Sequence, residues 1–97
     1  MSESIISNER QCIVCGSTLD LHRHHIFEGF GRRQISEKHG CWCYLCSKHH
    51  NASSKYGIHF NKMLDLHVKQ MCQKAWEEKH GSRDEFIRLF TRSYIED

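Results

Sequence analysis

Six cysteines and nine histidines are the residues of this 97-residue chain most suited to chemistry. Cys12 and Cys15 stand in the segment CIVC, a spacing that predicts one half of a tetrahedral metal site. A second pair is either Cys43 and Cys46 in CYLC or Cys46 and His49 in CSKH. We expect a structural zinc held by Cys12, Cys15, Cys46 and His49, because CSKH lies where a strand should turn into a helix. Cys43 in place of His49 is the alternative, and Cys41 and Cys72 are expected to be core cysteines.

A second cluster consists of histidines alone. HRHHIF holds His22, His24 and His25, SKHHN adds His50, and GIHFN adds His59. Nitrogen ligands that leave positions open to water and phosphate are typical of a catalytic rather than a structural metal site. His22 is expected to be a neighbour on the strand and not a ligand.

Two extended segments and two helices must position these residues. LDLHRHHIF and CWCYLC predict short strands, and EGFGRRQISEKHG between them predicts a loop or wide hairpin connection. From Asn61 an apolar stripe with spacings of three and four predicts a helix that ends at Gly81. Ser82 and Glu85 predict a capping box that begins a final helix. Apolar residues of the two helices are Leu64, Val68, Met71, Cys72, Ala75, Trp76, Phe86, Ile87, Leu89, Phe90 and Tyr94.

Length and composition narrow the class of protein. A chain with 38% hydrophobic and 27% charged residues builds a modest core, which a bound metal would help to stabilise. The polar segment MSESIISNERQ and the lack of a long apolar run predict a reducing cytoplasmic location and no membrane association. There the cysteines should be metal ligands or free thiols, which argues against a disulfide-stapled secreted domain. A net charge of +2 permits nucleic-acid binding without requiring it.

Four segments together resemble a family of known fold. Cys12 with Cys15, HHIF at 24–27, LCSKHHN at 45–51 and GIHFN at 57–61 are similar to small zinc-knuckle HNH endonucleases of the phage and prophage type. The resemblance implies a small α+β fold: a ββα-metal (His-Me) finger with a structural zinc knuckle, followed by two C-terminal helices. It implies a nuclease core at 12–61 and a helical extension at 62–97 that packs on the core, all in one domain. Residues 1–11 are polar and are expected to form an N-terminal tail or a short helix.

The resemblance also implies roles for the histidines. His25 would be the general base that takes a proton from the attacking water. His24, His50 at the opening of a helix, and His59 would hold one catalytic divalent cation: Mg²⁺, Mn²⁺, Ni²⁺ or Zn²⁺. The implied activity is metal-dependent hydrolysis of phosphodiester bonds in DNA, of the nicking or recombination-associated type found in mobile elements and acting in a bacterial or phage-infected cell. RNA is left open as a substrate, as is the oligomeric state, and the alternative is a non-catalytic zinc-stabilised module that binds DNA or protein.

The chain departs from the family pattern in two places. The central asparagine of the motif corresponds to Cys41, which leaves Asn51 or Asn61 to orient the phosphate. The interval from His50 to His59 is long, so Asn51 or Ser54 competes for the last ligand position.

Four cations flank the predicted site. Arg32 and Arg33 follow the HHIF segment, and Lys48 and Lys55 lie on either side of His50. They are candidate phosphate contacts, and a solvated loop is the equal alternative for them.

Overall fold

The computed structural model describes residues 3–27, 32–50, 57–58 and 61–95, which form a small α+β fold. Its elements in chain order are β1 (Leu21–His25), α1 (Arg32–Lys38), β2 (Trp42–Cys46), α2 (Ser47–His50), α3 (Lys62–Lys79) and α4 (Arg83–Phe90). No helix in these ranges combines the length and the apolar character that a membrane crossing requires.

The two strands pair antiparallel, and their register fixes what each face carries. His24 lies opposite Cys43, and the next pair is His25 with Trp42. Because successive side chains of a strand point to opposite faces, His24 and His25 are sent to different sides of the sheet. One face carries His22, His24, Cys43 and Leu45, and the other carries Arg23, His25, Trp42 and Tyr44. Both predicted strands are confirmed within their segments.

The connection between the strands is not only the predicted loop, because it contains α1. The loop prediction was wrong for these residues. It gave more weight to the flanking glycines than to the segment RRQISEK, which is rich in helix-forming residues. Ser36 anchors the helix: its buried hydroxyl donates to the Phe27 carbonyl at 2.8 Å and accepts from the Phe27 N–H at 3.1 Å. Helix α1 is thereby fixed against the chain that leaves β1.

The two C-terminal helices are confirmed with their predicted ends. The Asn61 side chain caps α3 by accepting from the Leu64 N–H at 3.0 Å, and His80 ends that helix. Ser82 and Glu85 form the complete capping box at the start of α4. Asn61 therefore has a structural role that its sequence position alone did not reveal.

The core lies between the sheet and the two long helices. Phe27 follows β1, and its ring packs 5.3 Å from Phe86 and 4.5 Å from Phe90 of α4, measured between centroids. Cys41 and Cys72 are fully buried in this core, as predicted. A hydrogen bond with Cys41, together with burial, raises the pKa of the Cys72 thiol, so Cys72 stays protonated and packs as a small apolar group.

The N-terminal segment forms neither a free tail nor a helix over residues 3–11. The buried Ser4 hydroxyl donates to the Trp42 carbonyl at 2.7 Å, and the Ile5 N–H donates to the Gly40 carbonyl at 3.0 Å. Gly40 has φ +73°, and a Cβ there would collide with the Glu3 carbonyl oxygen. The segment therefore packs along the start of β2.

Candidate metal centre and histidine cluster

Three cysteines and one histidine converge at the end of the sheet. The ligand atoms of Cys12, Cys15, Cys46 and His49 all lie within 4.8 Å of one another. His49 Nδ1 is 3.2 Å from Cys46 Sγ and 3.7 Å from Cys12 Sγ, and the sulfurs of Cys15 and Cys46 are 3.7 Å apart. Zinc bonds of about 2.0–2.3 Å in a tetrahedron place their ligand atoms about 3.5–3.8 Å apart. The cluster could therefore hold a metal ion with little rearrangement.

Local backbone geometry brings the two halves of the cluster together. The Gly16 N–H donates to the Cys12 carbonyl at 2.8 Å, and Gly16 has φ +76°, so the chain turns back between the first two ligands. The Ile13 N–H donates to the Tyr44 carbonyl at 3.0 Å, which ties this turn to β2. Cys46 ends β2, and His49 follows one helical turn later in α2.

The thiols of Cys12 and Cys15 have pKa shifts in opposite directions. Burial raises the pKa of Cys12, but hydrogen bonds with the backbone of Cys46, Cys15 and Val14 outweigh it, and the net pKa is lowered. For Cys15, a backbone hydrogen bond from Ser17 lowers the pKa, but desolvation and the neighbouring sulfurs raise it above the usual value. A dication among these thiolates would remove their mutual repulsion and favour their deprotonation.

His49, not Cys43, belongs to this cluster. Burial, with the nearby charge of Cys12, raises the pKa of Cys43 to about 12, and only 1% of Cys43 is exposed. Cys43 also lies outside the group of ligand atoms that are within 4.8 Å of one another. The preference for His49 over Cys43 in the predicted ligand set is therefore supported by position.

Three histidine rings meet on the face of the sheet that α2 covers. The His24 ring lies edge-to-face with the His50 ring, with centroids 5.3 Å apart, and only 2% of His24 is exposed. The His22 ring stacks on the His50 ring, with centroids 5.1 Å apart. His50 is the fourth residue of α2 (Ser47–His50), so it does not begin that helix as expected. His59, the third predicted ligand, lies outside the described residues, as do Asn51 and Ser54.

His25 lies on the opposite face, beside α1. Its Nε2 is 3.0 Å from Glu37 Oε2, and Arg33 Nε donates to its Nδ1 at 3.3 Å. The structure therefore brings His25 together with Arg33 and Glu37. His25 is the last residue of β1, so its side chain projects at the end of the strand.

The predicted phosphate contacts are spread over several elements. Arg32 begins α1, Arg33 follows it as an exposed residue, and Lys48 is exposed on α2. Lys55 falls outside the part of the chain that the structure describes. Arg33 is thus the cation that the structure places directly beside a predicted site residue.

Sequence reasoning missed Glu37, which contacts His25 and Arg23. Arg33 and Glu37 stand four residues apart and share one face of a helix. This spacing would have pointed to Glu37 if the segment had been predicted as a helix.

Comparisons with protein-family models, with curated proteins and with solved structures give no match for this chain. The site geometry therefore carries the functional argument that follows.

Proposed function

We propose that this protein is a metal-dependent endonuclease that hydrolyses phosphodiester bonds in DNA, with a zinc knuckle as its structural support. The observation that carries the proposal is the contact between His24 of β1 and His50 of α2, with ring centroids 5.3 Å apart. The resemblance to HNH nucleases implies this arrangement, in which two strands are followed by a helix and histidines lie on the first strand and on the helix.

The knuckle would hold the two strands and α2 at a fixed spacing. Its four residues join the N-terminal turn, the end of β2 and the start of α2. A tetrahedral zinc with four protein ligands has no open position, which suits a structural role and leaves the chemistry to other residues.

His24 and His50 would hold the catalytic divalent cation, together with His59. When bound, the cation supplies positive charge that stabilises the phosphate and the departing 3′ oxygen. Among the described residues, the knuckle is the one group of three or more ligand atoms that lie this close together. The fit of the second site therefore depends on two neighbouring imidazoles and on a residue beyond the described ranges.

His25 would act as the general base. A lone pair of the water oxygen forms the new bond to phosphorus while the bond from phosphorus to the 3′ oxygen breaks. The water proton passes to a ring nitrogen of His25, and the leaving oxygen takes a proton from solvent. Arg33, beside His25, would hold a phosphate oxygen near the attacking water.

The test is the relaxation of supercoiled plasmid across Mg²⁺, Mn²⁺, Ni²⁺ and Zn²⁺, with His25→Ala, His24→Ala and His39→Ala compared with the wild type. The proposal predicts that loss of His25 slows nicking by roughly a hundredfold or more, the range for a general base, while zinc content is unchanged. His24→Ala should also raise the cation concentration needed for activity. His39, which packs against Trp76, His80 and Phe90, is the matched control and should nick like the wild type. Equal nicking by folded His25→Ala protein would contradict the mechanism.

A second candidate is a non-catalytic zinc module that binds DNA or protein. The observation that favours it is the separation of His24 and His25 on opposite faces of the sheet, with His25 held by Glu37. This candidate predicts one tightly bound zinc per chain, salt-dependent DNA binding and no nicking with any ion.

A further inference from the structure

The ring of His25 has a defined proton position. Arg33 Nε donates to His25 Nδ1 at 3.3 Å, and a guanidinium has donors but no acceptor. Nδ1 must therefore be the nitrogen without a proton in this arrangement. The proton then lies on Nε2, which faces Glu37 Oε2 at 3.0 Å and donates to it.

Glu37 is itself held in place by two further contacts. The Arg23 guanidinium donates two hydrogen bonds to the Glu37 carboxylate, from Nη2 to Oε1 at 2.6 Å and from Nε to Oε2 at 3.1 Å. The Arg23 guanidinium lies over the Trp42 ring, with 3.6 Å between its Cζ and the ring centroid. A bidentate pair on an aromatic platform leaves the carboxylate little freedom to turn away from His25.

We propose that Glu37 is a positioning residue for His25. It fixes the Nε2–H tautomer and turns Nδ1 toward a cleft of about 510 Å³ that is lined by His25, Arg33, Gln34, Glu37 and Lys38. This inference rests on the proposed function for the role of His25 as the base, and it identifies the ring nitrogen that accepts the proton. Nδ1 accepts the water proton, and Nε2 never leaves the carboxylate.

Arg33 connects this arrangement to the substrate. Its contact with Nδ1 is the longest of the His25 hydrogen bonds and involves an exposed side chain. A phosphate in the cleft offers the guanidinium a charged partner, which is a stronger one than a neutral ring nitrogen. Binding of phosphate therefore moves Arg33 from Nδ1 and leaves that nitrogen open to the attacking water.

A purely structural role for Glu37 makes a different prediction. If Glu37 served only as the ion-pair partner of Arg23, then removing either residue would have the same effect. If Glu37 positions His25, then Arg23→Gln should lower stability and loosen the carboxylate, but Glu37 Oε2 can still accept from Nε2 and most His25 rings should keep that bond. The two variants are therefore a matched pair.

The experiment combines nitrogen NMR with kinetics on the full zinc-loaded chain. Two-bond ¹H–¹⁵N correlations near pH 8, where an ordinary imidazole is neutral, distinguish the tautomers of His25, with His25→Ala assigning its signals. Wild type, Glu37→Ala, Glu37→Gln and Arg23→Gln are compared for tautomer, for melting temperature, and for kcat and KM of plasmid nicking.

The wild type should show a single Nε2–H tautomer, Arg23→Gln should show mainly that tautomer, and Glu37→Ala should show a mixture. Its kcat should fall roughly tenfold to a hundredfold, less than for loss of the base, with KM nearly unchanged. Glu37→Gln keeps an acceptor oxygen and should recover part of this loss. An Nδ1–H tautomer in the wild type, an unchanged tautomer in Glu37→Ala, or an equal mixture in Arg23→Gln would overturn the inference. If the variants show the predicted tautomers but the wild type fails to nick plasmid with every divalent ion, the positioning by Glu37 is supported and the proposed function is overturned.

Discussion

Cys15 gives the sharpest test of the metal centre because it is exposed while its three partner residues are buried. Without a metal, an exposed cysteine contributes little to packing, and its substitution should change the free energy of unfolding by no more than about 0.5 kcal/mol. With a metal, Cys15→Ser removes one of four ligands. The two accounts therefore predict effects of different size at one position.

The expected loss can be bounded from metal affinity. Removing a group that only hydrogen-bonds to a metal ligand costs about 10- to 100-fold in affinity, so losing a ligand itself should cost at least about 100-fold. At about 1.4 kcal/mol per tenfold this is at least about 2.8 kcal/mol, which shifts the melting temperature of a chain of this size by about 10–20 °C. Folding and metal binding are coupled in such sites, so the loss appears as stability.

The assay is thermal unfolding of purified protein with and without a chelator, beside metal counting by mass spectrometry. Wild type should carry one tightly bound zinc per chain and lose stability with chelator, whereas Cys15→Ser should lose less stability with chelator than the wild type does. Cys43→Ala is the control: it should cost about 1–2 kcal/mol through a small core cavity and keep the metal. A wild type that chelator does not affect, with Cys15→Ser equally stable, would refute the reasoning.

Three other predictions concern backbone strain, pH and nucleic acid. Gly40→Ala should lower the free energy of unfolding, measured in urea, by about 2–5 kcal/mol, because its Cβ would collide with the Glu3 carbonyl at a residue with positive φ. Gly16→Ala also has a positive φ but has open space around it, so it should lower the free energy by about 1 kcal/mol. Equal losses would contradict the packing of the N-terminal segment. Burial, with neighbouring positive charges, lowers the pKa of His39 below 6.5, so its contribution to stability should be lost as pH falls below 6.5. His39→Gln should weaken this pH dependence in unfolding curves measured from about pH 8 to 5. An unchanged pH dependence would contradict this role of His39. Arg32→Ala with Arg33→Ala should weaken DNA binding and flatten its log–log salt slope by about 1–2 in fluorescence anisotropy titrations; an unaltered slope would remove both from the interface.

The knuckle was predictable because its evidence is local. Two residues between ligands, in CIVC and CSKH, set the reach of each half, and a strand-to-helix transition was expected where Cys46 and His49 lie. The ends of the helices could be predicted equally well from the sequence, since Ser82 and Glu85 hydrogen-bond to backbone groups only three residues away. Such features depend on the nearest neighbours in the chain and need no knowledge of the fold.

The surroundings of His25 were not predictable in the same way. The pairing of β1 with β2 decides which histidine faces α2, and a shift of one residue would exchange His24 and His25. Glu37 reaches His25 only because a segment between glycines forms α1 and packs against the strand. Register and the docking of a short helix are set by tertiary packing, which a single sequence pattern does not encode.

The most direct test of the central claim is the chemistry of the ends that the protein leaves in DNA. Supercoiled plasmid incubated with zinc-loaded protein and Mn²⁺ or Mg²⁺ should become open circular, and DNA ligase should reseal it, because attack by water with departure of the 3′ oxygen leaves a 3′ hydroxyl and a 5′ phosphate. The same preparation without added cation should leave the plasmid supercoiled. Intact plasmid with every divalent ion, or nicks that ligase cannot reseal, would contradict the account.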